Sequence, residues 1–211
     1  MAILIPGVIF LYGLSLIFNE IKPFLGQDIS LGEFGLFFIL SFAVGHLLQA
    51  LGNALEYVYW RIQAGMPSDW VRSEKHELLG KSQLGQFEER IKDFFRMSNF
   101  SFSTTSSSEW ASFVRRIYAA VETDGRNKRV DIFNCTYGLF RGLSVSLLLL
   151  AISNLFRDIH RWPWSILCVV LFAISLYRMH RFGRNYAREL FIQFLQLQDR
   201  PPFQREGRPA D

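Results

Sequence analysis

The sequence predicts an all-α integral membrane protein with four transmembrane helices and a helical cytoplasmic middle segment. Three observations lead there. The 211 residues are 50% hydrophobic and 16% aromatic, and the apolar side chains gather in four blocks, 3–18, 34–51, 137–156 and 164–177. A spanning helix needs about 17–25 mostly apolar residues, which the second and third blocks supply and the first and fourth reach with their flanks. The stretches LSVSLLLLAISNLF and SILCVVLFAISLY present no polar face, so long core helices of a soluble protein are the poorer account. Finally, nineteen Lys and Arg lie in 57–136 and in the segment from Arg178 onward, whereas Lys22, Arg157 and Arg161 stand alone in the two short loops. This asymmetry predicts that both termini and the middle segment are cytoplasmic.

The first element is a hairpin over residues 1–56, with spans at about 3–20 and 34–56. Its first block lacks a charged n-region and a small-x-small cleavage site, so it reads as a retained span. The outer loop NEIKPFLGQDISLGE is broken by Pro23, Gly26 and Gly32. The second span continues as helix to about Ala64, where Gly65, Met66 and Pro67 end it.

Residues 57–136 form the helical cytoplasmic segment. Ser68 and Asp69 cap a helix through SDWVRSEKHELL, and QFEERIKDFFRM carries Phe87, Ile91, Phe94 and Phe95 on one face, with Glu88 and Lys92 at i,i+4. The Ser/Thr run at 98–109 reads as a loop. Ser108 caps WASFVRRIYAAVE, which closes at the turn DGRNK. These apolar faces are narrow, so packing against neighbouring subunits or the membrane surface is expected. A second hairpin follows over 137–180, with spans at about 137–156 and 162–180. A cytoplasmic helix and polar, Pro-rich tail occupy 181–211. Arg178, Arg181, Arg184 and Arg188 form a basic face on the continuing helix, which lies against the middle segment or the headgroups.

The pI near 9.2 reflects this inward bias and attraction to anionic lipid. The basic residues of the middle segment alternate with ten acidic ones, so no nucleic-acid stripe is formed and direct nucleic-acid binding is not expected. Cys135 and Cys168 are too far apart in sequence to suggest a disulfide framework or metal spacing.

The second span poses the sharpest question. His46, Gln49, Asn53 and Glu56 stand at offsets 0, 3, 7 and 10 in an apolar helix, within roughly 80° of one face. On the third span Asp131, Asn134, Gly138 and Arg141 repeat those offsets in the opposite direction. Glu56 lies four residues inside Trp60 and Arg141 four inside Tyr137, so the two charges share a depth. An ion in hydrocarbon is costly, and pairing on antiparallel helices lowers the cost. The competing reading is that each charge snorkels separately to the headgroups. The remaining polar groups either bond between helices and set assembly or line a conduit shared by several subunits. Gly45 and Gly52 on the second span, and Gly138, Gly142 and Ser146 at four-residue spacing on the third, favour close packing.

No GxSxG, HExxH, CxxC or Walker pattern is present, so no catalytic residue, metal ligand or cofactor is assigned. His76 sits between Lys75 and Glu77 on an exposed face. His160 and His180 have arginine neighbours without a nucleophile or metal partner.

The plan resembles small four-span bacterial membrane proteins of antiphage defence systems, such as the membrane subunit of the Kiwa system or the accessory membrane proteins of RNA-guided nucleases. The resemblance rests on four spans in a chain of this length, a helical cytoplasmic middle, and the segments GHLLQALGNALE and DIFNCTYGLFRG. It is a likeness of architecture, and it carries no catalytic residue across. Arg72 and His76, like Arg157 and His160, are too close for the Arg-x4-6-His pair of HEPN-type ribonucleases. The expected protein is a homo-oligomer in the lipid bilayer acting as sensor, anchor or membrane-perturbing effector for a cytoplasmic protein partner. The alternative is a small channel or transporter that works alone.

Overall fold

The computed structural model describes residues 2–18, 20, 31–72, 78–157 and 162–197. His76, His160, the loop residues Pro23 and Gly26, and the tail from 198 onward lie outside the described residues. Among the described residues the chain forms six α-helices: α1 (Leu4–Ile17), α2 (Leu31–Ile62), α3 (Lys81–Phe95), α4 (Ser107–Thr123), α5 (Lys128–Arg157) and α6 (Trp162–Leu195). Three of them, α2, α5 and α6, are long and apolar enough to cross a membrane, which marks a multi-pass membrane protein. The shorter apolar α1 has 14 residues, a rise of about 21 Å, and reaches a hydrocarbon thickness of about 30 Å only with its flanks.

Two compact units divide the chain, Met1–Ala64 with Phe133–Gly183, and Gly65–Ile132 with Arg184–Asp211. In the first, α5 is the most enclosed of the long helices. Its small and polar residues meet α1 and α6, while α2 and α6 show Phe38, Ile39, Leu47, Ile166, Val170 and Ile174 on the surface. An exposed apolar face of this kind suits lipid.

Backbone proximity sets the register of α1. A Cβ on Gly7 would strike the Ser41 carbonyl, and one on Gly45 the Ile3 carbonyl, so α1 runs antiparallel to α2 with their backbones in contact. A Cβ on Gly142 would lie 2.9 Å from Pro6 Cγ, and the Ser146 hydroxyl donates to the Pro6 carbonyl at 3.1 Å. Small residues let helices approach where no hydrophobic driving force separates protein from lipid, and dispersion contacts then hold them. At the other end of α5, Asn154 donates to the Ser165 hydroxyl of α6 at 2.9 Å. Arg157 pairs with Glu20 at 3.1 Å on the surface.

The helix ends have local causes. Helix α2 stops where Ala64 (φ 63°) and Gly65 (φ 106°) turn left-handed, as the Gly-Met-Pro break predicts. The N-cap of α4 is Ser106 and not the expected Ser108. Glu109 stands three residues after Ser106 and bonds back to its backbone N–H at 2.9 Å, closing a capping box that Ser108 has no residue to close. Of the helix expected through SDWVRSEKHELL, the described part is a 3-10 helix over Pro67–Arg72, and residues 73–77 lie outside the described residues.

The second unit has an aromatic core. Phe87 of α3 lies 4.8 Å from Phe191 and 5.8 Å from Phe194 of α6, and 5.9 Å from Phe102 in the Ser/Thr-rich segment. Trp110 of α4 is fully buried against Phe87, Phe102 and Phe191, and its indole donates to the Ser68 carbonyl at 2.9 Å. Edge-to-face rings at these separations add to the area they bury. The narrow faces of α3 and α4 are therefore completed from within the chain, by residues 187–197. The Ser/Thr run is a turn folded over this core. Phe100 and Phe102 are buried, and the Thr104 and Thr105 hydroxyls donate to the Ser101 carbonyl.

At the junction of α4 and α5, Tyr118 donates to Asp131 at 2.7 Å, and Asn127 donates to the other carboxylate oxygen at 2.7 Å. The bond to the Asp131 carboxylate pushes the Tyr118 phenol up from 10.0 to about 12. A phenol held neutral in the fold stabilises below its unfolded value and loses that contribution as pH rises through its folded one. We expect stability to fall between pH 10.0 and about 12 in the native chain, and a part of that fall to vanish in Tyr118→Phe. Melting midpoints of both proteins across that range test this.

Candidate functional site

The polar residues of α2 do not act as one seam. On a 3.6-residue helix His46 and Asn53 lie about 20° apart, as do Gln49 and Glu56, so the four form two rows along the helix. Only the row of Gln49 and Glu56 faces α5. Arg141 donates from Nη1 to Glu56 Oε2, while its Nε and Nη2 reach Gln49 Oε1 at 3.2 and 2.9 Å. The Gln49 amide nitrogen donates to the Ala2 carbonyl ahead of α1 and to the Gly138 carbonyl of α5, both at 2.9 Å. One amide thus joins three segments. It uses both donors and accepts twice from a guanidinium, which exhausts its ordinary capacity.

The pair is well enclosed, with side-chain exposures of 21% for Arg141 and 15% for Glu56. Gly52 makes room for it: a Cβ there would stand 3.1 Å from Arg141 Cγ. Gly142 admits the Gln49 amide, whose nitrogen lies 2.9 Å from where its Cβ would be. Gly138 contributes its carbonyl, but a Cβ there would meet nothing within 4 Å. The four-residue spacing of Gly138, Gly142 and Ser146 therefore marks a packing face only from Gly142 onward, because the partner is the short α1 and begins at that level.

The other expected members lie elsewhere. His46 and Asn53 are exposed, and His46 meets the edge of Phe42 at 4.7 Å. Asp131 belongs with Tyr118 and Asn127 in the second unit, and Asn134 is exposed. Equal offsets on antiparallel helices do not bring every pair together, because side chains at opposite edges of an 80° arc point to different neighbours.

An aromatic layer flanks the charged pair. Trp60 donates to the Tyr137 hydroxyl at 2.8 Å, which sets the two residues at one level. Tyr59 OH and His180 Nδ1 lie 3.1 Å apart, giving His180 a phenol partner on α2. Gly183 lets the rings in, since a Cβ would be 3.0 Å from Tyr137 and 3.1 Å from Trp60. The sequence signal for this layer is the interfacial pairing of Trp and Tyr with a glycine on the opposing helix, and for α1 it is the Pro6-Gly7 step among bulky residues.

Of the basic face, Arg178 lies over Phe140 and Phe182 at 5.2 and 5.0 Å, whereas Arg181, Arg184 and Arg188 are exposed. Among the described residues no group of three or more His, Cys, Asp or Glu side chains gathers to hold a metal ion. The arrangement can clamp helices and neutralise a buried charge. Compared with known proteins, the chain matches no family model, no curated protein and no solved structure.

Proposed function

We propose that this chain is an inner-membrane anchor or sensor that presents a folded helical unit to a cytoplasmic protein partner. The observation that carries the reading is the aromatic core of Phe87, Trp110, Phe191 and Phe194 in a chain whose other unit consists of apolar helices. A membrane protein that keeps an ordered unit of residues outside its spans has a surface for a soluble partner. The positive-inside bias puts that unit, with both termini, in the cytoplasm, and α1 completes four spans with α2, α5 and α6. The clasp of Gln49, Glu56 and Arg141 supports an anchoring role over a conduit. Its donors and acceptors are turned on one another and on backbone carbonyls.

Reconstitution separates this reading from a stand-alone channel. Vesicles containing the purified chain alone are expected to pass ions no faster than protein-free vesicles. An ion flux that depends on the chain would overturn the anchoring reading in favour of the channel. The likeness in plan to membrane subunits of bacterial antiphage systems makes survival of phage challenge, with and without the Arg141→Leu variant, the physiological readout.

A further inference from the structure

Helix α2 leaves His46 and Asn53 on a face that is otherwise apolar or aromatic. We infer that this face is the interface between two copies of the chain, with the α2 helices parallel and related by a two-fold axis along the membrane normal. The inference rests on the multi-pass membrane reading above, and goes beyond it by adding a second copy of the chain.

Ala43, His46, Ala50, Asn53 and Tyr57 are spaced 3, 4, 3 and 4 residues apart, and all five are exposed. Such a spacing forms a straight seam on a helix that crosses its like in the left-handed sense. The residues around the seam are those of a lipid surface, among them Phe42, Leu47 and Leu51. Polar side chains in a spanning segment ordinarily face protein or water, because hydrocarbon offers them no partner. Among the described residues His46 and Asn53 have no such shelter within their own protomer, whereas Gln49 and Glu56, on the neighbouring row, do.

A second copy suits these side chains better than an unlike helix. A two-fold axis sets each seam position against its own counterpart. An amide carries donors and an acceptor, and a neutral imidazole carries one of each, so Asn53 can pair with Asn53 and His46 with His46. Ala50 between them and Ala43 one turn before His46 allow the backbones to approach. Helix α6 provides the internal comparison. Its exposed positions Ile166, Val170, Ala173 and Tyr177 follow the same 3–4 spacing. Ile166, Val170 and Ala173 carry no polar group, and the phenol of Tyr177 stands within a turn of the His180 level at the end of the span, so that face is the lipid-facing one.

The test is disulfide cross-linking of the full chain in native membranes, in a Cys135→Ser, Cys168→Ser background. Single cysteines replace Ala43 and Ala50 on the seam, and Val170 and Ala173 on α6. Dimer from A43C and A50C is expected to exceed that from V170C and A173C several-fold. Adding Asn53→Leu is expected to weaken dimerisation about three- to tenfold. Equal yields from both helices in a chain that resists alkaline carbonate extraction would overturn the α2 interface and leave the membrane reading standing. Release of the chain by carbonate would overturn both.

Discussion

Replacing Arg141 with leucine is expected to be among the most damaging single changes in this chain, at about 3–5 kcal/mol. The loss exceeds that of one ion pair because the guanidinium serves two acceptors. Without it the Glu56 carboxylate keeps its enclosure but loses its counter-charge, and Gln49 Oε1 loses both donors. A buried acceptor left unmade costs about 1–3 kcal/mol by itself. The Gln49 amide also holds the Ala2 and Gly138 carbonyls, so its release loosens α1 from α2 and α5. Thermal melts of the detergent-solubilised protein, followed by the monodisperse fraction, should show a midpoint lowered by several degrees or more. Glu56→Arg should be as harmful, and the exchange Glu56→Arg with Arg141→Glu should recover much of the loss. Failure of the exchange to recover anything, with both single variants near wild type, would mean that each charge reaches the headgroups separately.

Trp110→Ala is expected to cost a further-reaching 3–5 kcal/mol, the range typical of about one large aromatic removed from a packed core. The indole is fully buried, lies against Phe87, Phe102 and Phe191, and donates to the Ser68 carbonyl. Its removal opens a cavity where α3, α4, the Ser/Thr turn and the end of α6 meet, and leaves that carbonyl without its indole donor. The effect should be confined to the second unit. Limited proteolysis is expected to cut the variant within residues 98–106 or beyond 187 far faster than wild type. The apolar helices should remain as a protected fragment in the micelle. A Trp110→Phe variant, which keeps most of the volume and loses only the indole N–H, should fall between the two. Protection equal to wild type in Trp110→Ala would show that the aromatic core does not hold these segments together.

These two variants also divide what each level of structure explains. Both charges of the clasp are legible in the sequence, since Glu56 and Arg141 stand at the same distance from Trp60 and Tyr137, and the indole–phenol bond places those aromatics side by side. Trp110 is legible only as one apolar residue on an amphipathic helix. Its weight comes from Phe191, which is eighty-one positions away in the chain.

The sequence by itself determined where the apolar helices lie, that α2 breaks at Gly65, and that two charges of opposite sign in apolar helices share a level. Those properties follow from composition and from one-dimensional spacing, which the 1.5 Å rise of a helix converts directly into height. Tertiary structure alone decided azimuth. Whether a residue on an 80° arc meets a partner depends on which neighbour occupies which side, and spacing along one helix does not contain that information. So Gln49 and Glu56 turn inward to Arg141, while His46 and Asn53, on the adjacent row, turn out. The same reason explains α1, whose contact with Ser41, Gly45, Gly142 and Ser146 is set by backbone approach across three helices. It explains, too, why the narrow apolar faces of α3 and α4 find their cover in the last turns of α6.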